Sequence, residues 1–546
     1  MNIGIDFDNT IAGYDTSFRE VAMEKGMIDR RWEGKGKTEL RNNLRRQSNG
    51  EKTWMELQGL VYGKYMHCAE MLPGVANFLL KCKAQNHNIF IVSHKTEFGH
   101  FDPQKISLRQ EALKWMEIKR FFDQNYFGIE RGNVFFANTR EEKVNKISQL
   151  KCDWFIDDLP EVFEEKNFPL DTKKILFAKF DENTIDNDIT PIDNWSDISD
   201  VVLGYTIDED VIFWANHLIG QLIKKIEKIS GRGNSRIYRI ITDNGKLYAL
   251  KHYPDRHIDA RPRSKIEYNA VRLLHQHNIT NVPKAVEKDE DLNIGVYEWI
   301  AGKPITDPTV DDFEQTIYFV QKLHSLSKNI DGNDINPASE ACLSAKDIIG
   351  QIINRLSILE TISENYPELS IFLEQTFEPL WIKVKDENYN LWPIESRENS
   401  LPREKQTLSP SDFGFHNAIR QVDDEVIFID FDYFGWDDPV KLTADFLWHP
   451  AMKLNPELTA KWKKAMLAIF SSDPAFEPRL NAAMPLYGLR WAMIVLNEFL
   501  PKFAERRKNA REAESYDLDK SREHQLKKAK HYCEKVKAIT SQVTFA

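Results

Sequence analysis

The sequence has few cysteines and no arrangement of them that predicts a covalent or metal framework. Its five cysteines are Cys68, Cys82, Cys152, Cys342 and Cys533, and no two of them form a CxxC pair. An odd number of widely spaced cysteines argues against a disulfide-stabilised secreted fold and against a thiolate zinc site. We therefore expect reduced, buried thiols in a cytoplasmic protein.

Long apolar runs and an excess of basic residues are also lacking. No stretch approaches the roughly 18 apolar residues that a membrane-spanning helix needs, and the N-terminus, MNIGIDFDNT, has acids where a signal peptide needs a basic flank. Lys plus Arg total 73 and Asp plus Glu total 84, so the formal net charge is −11. This balance argues against a general binder of phosphate backbones. We expect neither a membrane nor a nucleic acid as a partner.

What is present is the composition of a folded protein with more than one domain. The chain has 546 residues, of which 42% are hydrophobic and 29% charged, and it exceeds the size at which one hydrophobic core usually stops growing. Residues 181–200 are rich in Asp, Asn, Thr, Ile and Pro, which predicts a loop that closes a first domain over 1–200. A linker helix over 201–219 and a second domain over 220–546 follow.

Three short apolar runs alternate with helix-like stretches in the first domain. They are Ile3–Phe7, Ile89–Val92 and Trp154–Ile156. Strands that alternate with helices predict parallel βαβ units and an α/β fold, in which ligands bind at the carboxyl ends of the strands. In the second domain, the stretch up to about Lys228 is predicted to be helical, and the charged stretch 506–537 is predicted to be a solvated terminal helix.

Two aspartates follow the first apolar run at a spacing of two residues. Asp6 and Asp8 project from the same face of the extended chain where the strand ends. One carboxylate can attack phosphorus, while the other protonates the leaving oxygen and later activates water. Magnesium, which prefers oxygen ligands, would let these anionic partners meet, and Asp157 and Asp158 add acids after the run WFI.

Two further side chains suit a bound phosphoryl group. Ser93 follows the run IFIV and adds a hydroxyl, although a serine at such a place can also be a simple turn former. Lys143 adds a positive charge that offsets the acids, and Lys146, one helical turn further on, could serve instead.

In these motifs the sequence resembles the haloacid dehalogenase superfamily over about residues 1–200. The four motifs appear in the family's order, as Asp6-Phe7-Asp8-Asn9-Thr10, Ser93, Lys143 and Asp157-Asp158. The resemblance implies a Rossmann-like parallel sheet with a helical cap, in which Asp6 is the nucleophile and Asp8 the acid/base. It also implies a set of residues that contact the substrate phosphate, namely Thr10, Ser93 and Lys143, and a set of magnesium ligands, namely Asp6, Asp8, Asp157 and Asp158.

The resemblance favours one reaction within that superfamily. Its phosphatases carry a second aspartate at the acid/base position, here Asp8, so phosphomonoester hydrolysis is favoured over dehalogenation. A helical insert over about 13–72 resembles a cap that selects the substrate, and its residues do not name that substrate.

A second set of motifs lies beyond residue 220. The turn Ser230–Ser235 contains Gly231 and Gly233, and a plain hairpin is at least as good a reading of it as a phosphate cradle. Asn244-Gly245 is a strong hairpin signal. Lys251 ends the following strand-like run, and Glu267, on the next helix-like stretch, could pair with it.

Three polar residues further along the chain complete this set. Asp412 and Asn417 stand five apart in SDFGFHNAI, and Asp430 follows the apolar run VIFI. One carboxylate can accept the proton of a substrate hydroxyl, while Asn and the later Asp hold magnesium on the transferred phosphate.

These residues resemble the aminoglycoside phosphotransferase and choline kinase family, as do the segments VYEWIAGKPI and KLHSLS. The resemblance implies a bilobal, protein-kinase-like α+β domain with lobes at about 220–305 and 306–546, and ATP as the phosphoryl donor. Asp412 would be the catalytic base. The implied ATP-binding residues are Gly231, Gly233, Lys251, Glu267, Glu298 and Ile300, and the implied magnesium ligands are Asn417 and Asp430.

Two departures from the second family's pattern bear on the catalytic loop. Pro410 stands where the family often has His, two residues before the catalytic aspartate, and the later aspartate Asp445 is displaced. We therefore assign no catalytic role to Asp438 or Asp445, and we interpret His416 as a packed or hydrogen-bonding loop residue.

Three hypotheses follow for the whole chain. The first is a cytoplasmic bifunctional enzyme that removes phosphate from a small metabolite and phosphorylates a hydroxyl of a sugar, polyol or amino alcohol, for instance in making surface polysaccharide precursors. The second keeps one active domain beside a regulatory one. The third is a nucleic-acid end-processing kinase and phosphatase, which the acidic charge disfavours.

Overall fold

The structure, a computed structural model, falls into two compact units. It describes residues 1–29, 32, 34, 36–178, 188–204, 208–229, 235–254, 256, 259–452, 454–501 and 518–543. The first unit comprises Met1–Ile223 with Asp255–Ala260, and the second comprises Lys224–Pro254 with Arg261–Ala546.

The first unit is built on a six-stranded parallel sheet. Its order is β5-β4-β1-β6-β7-β8, so β1 lies between β4 and β6. The strands of this unit are β1 (Asn2–Ile5), β2 (Ala12–Gly13), β3 (Glu70–Met71), β4 (Asn88–His94), β5 (Val134–Ala137), β6 (Trp154–Asp157), β7 (Lys173–Leu176) and β8 (Ile189–Pro191).

Nine described helices accompany these strands. They are α1 (Asp15–Glu24), α2 (Gly36–Arg45), α3 (Gly50–Tyr62), α4 (Val75–Ala84), α5 (Leu108–Ile118), α6 (Arg140–Leu150), α7 (Pro160–Phe163), α8 (Trp195–Leu203) and α9 (Asp208–Ile219). The parallel sheet and its three predicted strands are confirmed, because each apolar run forms β1, β4 or β6.

The register of the sheet decides which side chains meet. Ile3 pairs with Ile89 on β4 and with Trp154 on β6, all in parallel. The carboxyl ends of β1, β4 and β6 therefore share one edge of the sheet, and the polar residues that follow each strand come together there.

Helices α1 to α3 form an insertion whose two ends lie side by side. The short strands β2 and β3 pair antiparallel, with Ala12 opposite Met71, so both ends of the insertion meet next to the end of β1. The aromatic side chains of the insertion pack together, since Phe18 stacks on Trp54 at 5.1 Å between ring centroids.

The second unit combines a five-stranded sheet with a larger helical part. The sheet order is β12-β13-β11-β10-β9. Asn244-Gly245 turns the chain between the antiparallel strands β10 and β11, with Gly245 at φ 80°, so the predicted hairpin is confirmed. The strands of this unit are β9 (Ile223–Ile229), β10 (Arg236–Thr242), β11 (Leu247–His252), β12 (Ala285–Asp289), β13 (Ile294–Glu298), β14 (Lys303–Pro304), β15 (Thr407–Ser409), β16 (Ala418–Arg420), β17 (Val426–Phe428) and β18 (Gly435–Asp437).

The helices of the second unit surround its largest core. Buried Phe319, Phe413, Phe428 and Phe446 belong to that core. The helices are α10 (Arg263–Gln276), α11 (Val310–Asn329), α12 (Ala345–Ser363), α13 (Pro367–Phe372), α14 (Glu378–Leu391), α15 (Pro439–Trp448), α16 (Pro456–Ile469), α17 (Phe476–Val495) and α18 (Leu518–Val543).

Two predictions about the second unit are wrong. The helix predicted to end near Lys228 ends earlier, at Ile219 of α9, and the residues up to Ile229 form strand β9, because pairing with β10 overrides a local apolar spacing that suits either state. Helix α18 is not solvated all round, since Leu526, Ala529, Cys533 and Val536 are buried in the core at the spacing of a helical face.

Two further observations concern the cysteines and the hydropathy of the helices. All five cysteines are free thiols, and four of them are buried. Among the described residues, no helix is both long and apolar enough to cross a membrane.

Candidate functional site

The first candidate site lies at the carboxyl edge of the parallel sheet. Asp6 directly follows β1, Ser93 is the second-to-last residue of β4, and Asp157 ends β6. The amide of Asp6 donates to the carbonyl of Ile156 at 2.9 Å, so the backbone pairing continues up to the site. Sheet register therefore brings together acids that are about 150 residues apart in the chain.

Lys143, on α6, neutralises two of these acids. Its Nζ lies 2.5 Å from Asp6 Oδ1 and 2.6 Å from Asp157 Oδ2, and all three side chains are buried. Burial raises the pKa of Asp6 well above its ordinary value and outweighs the opposing effect of the Lys143 charge. Lys146, the alternative cation, instead lies over the ring of Phe135 at 4.6 Å.

Three carboxylates of this site fit a divalent cation. One oxygen each from Asp6, Asp157 and Asp158 lies within 4.8 Å of the others. Burial, followed by the charge of Asp157, raises the pKa of Asp158 to about 6, as expected where like charges crowd together. An oxygen-only ligand set suits magnesium, which would relieve this repulsion.

Two hydroxyls at the site have no hydrogen-bond partner among the described residues. Thr10 Oγ1 and Ser93 Oγ are both buried and unsatisfied. A buried polar atom without a partner is costly, so such atoms are commonly satisfied by a ligand or water. The two hydroxyls are therefore available to a phosphoryl oxygen.

Asp8 is held by residues that our reading of the sequence missed. Lys95 Nζ lies 2.8 Å from Oδ1 and 2.7 Å from Oδ2 of Asp8, and the Tyr14 hydroxyl donates to Oδ1 at 2.5 Å. The signal for Lys95 was its position two residues after Ser93, which places both side chains on one side of an extended chain. Asp8 thus lies beside a cation, while the carboxylate cluster contains Asp6, Asp157 and Asp158.

The inserted helices also reach this site. Lys37, on α2, donates from Nζ to the Tyr62 hydroxyl at 2.7 Å and to Asn9 Oδ1 at 3.4 Å. Tyr62 ends α3 and packs edge-to-face on Tyr14, with ring centroids 4.8 Å apart. The insertion therefore places a cation and a phenol next to the loop that carries Asp8.

The second candidate site begins with a buried lysine on β11. Lys251 Nζ lies 2.6 Å from Glu267 Oε2 on α10 and also contacts Asp430 Oδ1. Burial by itself would lower the pKa of Lys251, but the carboxylates of Asp430 and Glu267 raise it well above its ordinary value. The Tyr253 hydroxyl donates to the same Glu267 oxygen at 2.7 Å. This lysine therefore remains a cation in a buried place.

Asp412, Asn417 and Asp430 lie on two loops with unusual backbone conformations. Ser411, before Asp412, has φ 66°, and Asp430 has φ 69°. Non-glycine residues at positive φ are uncommon, and they cluster at functional loops. The Asn417 side-chain amide donates to the Asp412 carbonyl at 3.0 Å, which leaves its own oxygen available to a cation together with the Asp430 carboxylate.

Asp412 is more exposed than Asp430. Its side chain is 42% exposed, and His416 Nε2 lies 2.9 Å from its Oδ1. Burial would raise the pKa of Asp412, but the hydrogen bond and charge of His416 and the charge of Lys441 hold it below its usual range. An ionised carboxylate open to solvent is suited to accept a proton.

A buried lysine supports the loop that carries Pro410, Ser411 and Asp412. Lys441, on α15, donates from its buried Nζ to Ser411 Oγ at 2.7 Å. The same ammonium lies 3.3 Å from Asp437 Oδ2 and 3.2 Å from Asp445 Oδ2. The loop therefore rests on a buried ion cluster, which the sequence pattern did not reveal.

Asp438 and Asp445 each pair with side chains of α17. Asp438 caps α15 and pairs with Arg479, whose Nε lies 3.0 Å from Asp438 Oδ2. Asp445 also accepts from Trp491 Nε1 at 2.8 Å.

The predicted nucleotide-binding residues fall partly outside the described chain. Gly231 and Gly233 lie outside the described residues. Glu298 ends β13, where its amide donates to the Lys284 carbonyl at 2.8 Å and its side chain is exposed. Ile300, two residues further on, is partly buried.

Together these features define a class of protein for the second unit. A buried Lys–Glu pair between a sheet and its helix, an Asp with an Asn five residues later, and an Asp after a short hairpin are the parts of a kinase-like phosphotransferase. Residues 225–477 match the sequence model of the phosphotransferase enzyme family. The C-terminal region therefore carries a kinase-like phosphotransferase domain.

Solved structures similar to this chain are distant from it. A spectinomycin phosphotransferase in complex with ADP and spectinomycin is 13% identical, with a TM-score of 0.42, and the match covers 60% of this chain and 98% of that chain. A Plasmodium vivax ethanolamine kinase is 13% identical, with a TM-score of 0.40 and coverage of 59% and 87%. A choline kinase from Streptococcus pneumoniae is 16% identical, with a TM-score of 0.35 and coverage of 57% and 94%. No curated protein matches this chain.

Proposed function

We propose that the chain is a bifunctional enzyme, in which the C-terminal domain phosphorylates a hydroxyl of a small molecule and the N-terminal domain hydrolyses a phosphomonoester. The observation that carries the proposal is that each compact unit holds its own cluster of a buried lysine between two carboxylates. These are Lys143 with Asp6 and Asp157, and Lys251 with Glu267 and Asp430.

In the kinase domain, the residues divide between binding the nucleotide and activating the acceptor. Lys251 exchanges its contact with Asp430 for the phosphates of ATP, while Glu267 keeps the ammonium in place. Gly231 and Gly233 contact the phosphates, and Glu298 and Ile300 border the adenine. Asp412 accepts the proton of the acceptor hydroxyl as that oxygen attacks the γ-phosphorus.

Asn417 and Asp430 would hold magnesium in this domain. When bound, the ion supplies positive charge that offsets the charge of the transferred phosphoryl group. The acceptor is a sugar, a polyol or an amino alcohol, as expected for the family that the domain resembles.

In the N-terminal domain, the buried Asp6 attacks the phosphorus of the substrate. The ester oxygen leaves with a proton from Asp8, and a water molecule, deprotonated by Asp8, then releases phosphate from Asp6. Thr10, Ser93 and Lys143 hold the phosphoryl oxygens. Asp6, Asp157 and Asp158, with Asp8 beside them, would hold magnesium, which supplies charge that lets anionic groups approach each other.

The helical insertion over 13–72 serves as the cap in this proposal. The proposed phosphatase domain covers residues 1–200 and the proposed kinase domain covers 220–546, with a linker helix over 201–219 between them. One use of such a pair is to relocate a phosphate on a sugar or polyol before nucleotide activation, for instance for surface polysaccharide precursors.

A screen on the full chain tests both activities. Phosphorylated sugars, polyols and amino alcohols are assayed for phosphate release, and their dephosphorylated forms for ATP-dependent phosphorylation. We expect Asp6→Asn to abolish phosphate release and Asp412→Asn to abolish phosphorylation.

Other outcomes of the screen favour the other two hypotheses. Activity in only one assay, with the second site unresponsive to its own variant, would leave one domain regulatory. Activity on oligonucleotide ends, together with salt-dependent binding of oligonucleotides, would favour end processing.

A further inference from the structure

Two histidines approach the same oxygen of Asp412. His416 Nε2 lies 2.9 Å from Asp412 Oδ1, and His449 Nε2 lies 3.7 Å from that oxygen. The two imidazoles stack face to face, with ring centroids 3.8 Å apart and an interplanar angle of 10°. His416 comes from the loop of Asp412, and His449 follows α15, so two separate elements converge on one carboxylate oxygen.

Hydrogen bonding decides where the proton of His449 lies. The amide of Ala451 donates to His449 Nδ1 at 3.2 Å, so this nitrogen is an acceptor. In a neutral imidazole the proton is then on Nε2, the nitrogen that faces Asp412. Burial lowers the pKa of His449 to about 4, which agrees with a neutral ring.

This tautomer separates two possible uses of the three side chains. Asp412, His416 and His449 have the atoms of a metal site, with one ligand atom each within 4.8 Å of the others. A nitrogen that carries a proton cannot bind a metal, however, so Nε2 of His449 is not a ligand atom in this tautomer. The arrangement instead fits a hydrogen bond from His416 to Asp412, with the N–H of His449 facing the same oxygen at 3.7 Å, beyond hydrogen-bond distance.

The histidine pair is itself held by its neighbours. His449 packs edge-to-face on Trp491, with ring centroids 4.9 Å apart, and Trp491 Nε1 donates a hydrogen bond to Asp445. On the other side, Gly414 leaves room for the His416 ring, because a Cβ at Gly414 would lie 2.9 Å from His416 Nδ1. Packing of this kind fixes a ring in one orientation.

We propose that His416 and His449 are positioning residues that hold Oδ1 of Asp412 and leave Oδ2 to accept the proton of the acceptor hydroxyl. The proposal rests on the proposed role of Asp412 as the catalytic base. It also gives a role to His416, which the sequence pattern left as a loop residue. An oriented carboxylate matters because misplacing a reacting group by about 1 Å can cost roughly 100-fold in rate.

The test measures ADP formation from Mg·ATP, with water as the acceptor, by the full-length chain. We expect His416→Phe, which keeps an aromatic ring but removes the donor, to lower kcat by about 10-fold to 100-fold with KM for Mg·ATP within about twofold of wild type. His416→Gln, which can place a donor near the position of Nε2, should recover most of kcat. His449→Phe should lower kcat by a smaller factor, because its donor is more distant.

Two controls make the outcomes decisive. His324→Phe changes another histidine of the same domain, whose ring packs edge-to-face on Phe470 at 4.7 Å, and it should leave kcat unchanged. Asp412→Asn tests the base itself. If Asp412→Asn forms ADP as fast as wild type, the role of Asp412 is wrong, and the positioning role is wrong with it.

Two other results would overturn the positioning role alone. The first is an inactive Asp412→Asn together with wild-type kcat in both phenylalanine variants. The second is a lower kcat in His416→Phe that comes with a higher KM for Mg·ATP or with a melting temperature lowered to a similar degree, and that His416→Gln does not restore. Either result would mean that the histidines only pack the loop.

Discussion

The two candidate sites are built on opposite principles. In the N-terminal unit, Asp6, Lys143 and Asp157 are almost fully buried, and each follows or contacts the end of a parallel strand. In the C-terminal unit, the side chains of Asp412 and Asp430 are 42% and 34% exposed and lie on loops. Sheet register brings the acids of the first site together, whereas the second depends on contacts beneath its loops, such as Lys441 with Ser411.

The buried lysines of the two sites differ in the carboxylates that they contact. Lys143 lies between Asp6 and Asp157, both of which are proposed to take part in the reaction. Lys251 lies between Asp430, a proposed magnesium ligand, and Glu267, which has a second donor in Tyr253. Removing each lysine should therefore lower the activity of its own unit, and the loss of stability should be larger for Lys143 than for Lys251.

The largest effect is expected from Lys143→Met. It leaves two buried carboxylates without their ammonium partner, and breaking a buried ion pair from one side costs about 3–5 kcal/mol. Phosphate release should be lost, and the unfolding transition of the N-terminal unit should move to lower temperature, while ADP formation is retained.

Lys146→Met is the matched control for that change. Its ammonium lies over Phe135 rather than beside an acid, so both activities and the melting curve should stay close to wild type. Equal destabilisation by the two variants, measured by calorimetry, would contradict the neutralising role of Lys143.

Lys251→Met should lower kcat/KM for Mg·ATP by about 100-fold, a loss of roughly 3 kcal/mol of transition-state stabilisation. Its cost in stability should be smaller than that of Lys143→Met, because Tyr253 still donates to Glu267. Steady-state kinetics and calorimetry on the same preparations check both statements. A larger destabilisation by Lys251→Met than by Lys143→Met would break the comparison.

Gly414→Ala should have a moderate effect on the kinase alone. The added methyl group would lie 2.9 Å from both His416 Nδ1 and Met452 Sδ, and overpacking of this kind costs about 1–3 kcal/mol when neighbours must shift. Gly414 lies in the second unit, so phosphate release by the first unit should not change. Unchanged ADP formation would mean that Met452 moves aside and His416 keeps its place.

The smallest effect concerns the dependence of stability on pH. Burial, followed by the charge of Lys328, lowers the pKa of His324 to about 4, against an ordinary value of 6.5. Between these pH values the unfolded chain binds a proton that the folded chain does not, so this group makes stability fall as pH drops from 6.5 towards 4.

His324→Phe should flatten that part of the curve of melting temperature against pH for the C-terminal transition. The N-terminal transition should not respond to the substitution. If the melting temperature of His324→Phe depends on pH as steeply as that of wild type between these two pKa values, the lowered pKa of His324 is contradicted.

Much of the first site could be predicted from the sequence, because each acid directly follows a short apolar run and parallel strands end at one edge. Tyr14 was missed because nothing in its local sequence indicates that it meets Asp8, and Lys95 was missed although it stands two residues after Ser93. In the second site, Lys251, Glu267, Asp412 and Asn417 follow recognisable spacings.

The residues that hold the catalytic loop could not be predicted in the same way. Lys441 meets Ser411 and His449 meets Asp412 only through tertiary packing, as does Trp491 its neighbour His449, and their spacing along the chain carries no signal. The same reason explains why β9 was predicted as a helix, because pairing with a neighbouring strand is a long-range contact.

The most direct test of two separate phosphoryl-transfer sites is a crossed assay of Asp6→Asn and Asp412→Asn, each measured for phosphate release and for ADP formation on the same preparation. The account predicts that Asp6→Asn loses phosphate release and keeps ADP formation at the wild-type rate, and that Asp412→Asn does the reverse. Loss of both activities from either single substitution, in a protein that melts like wild type, would contradict it.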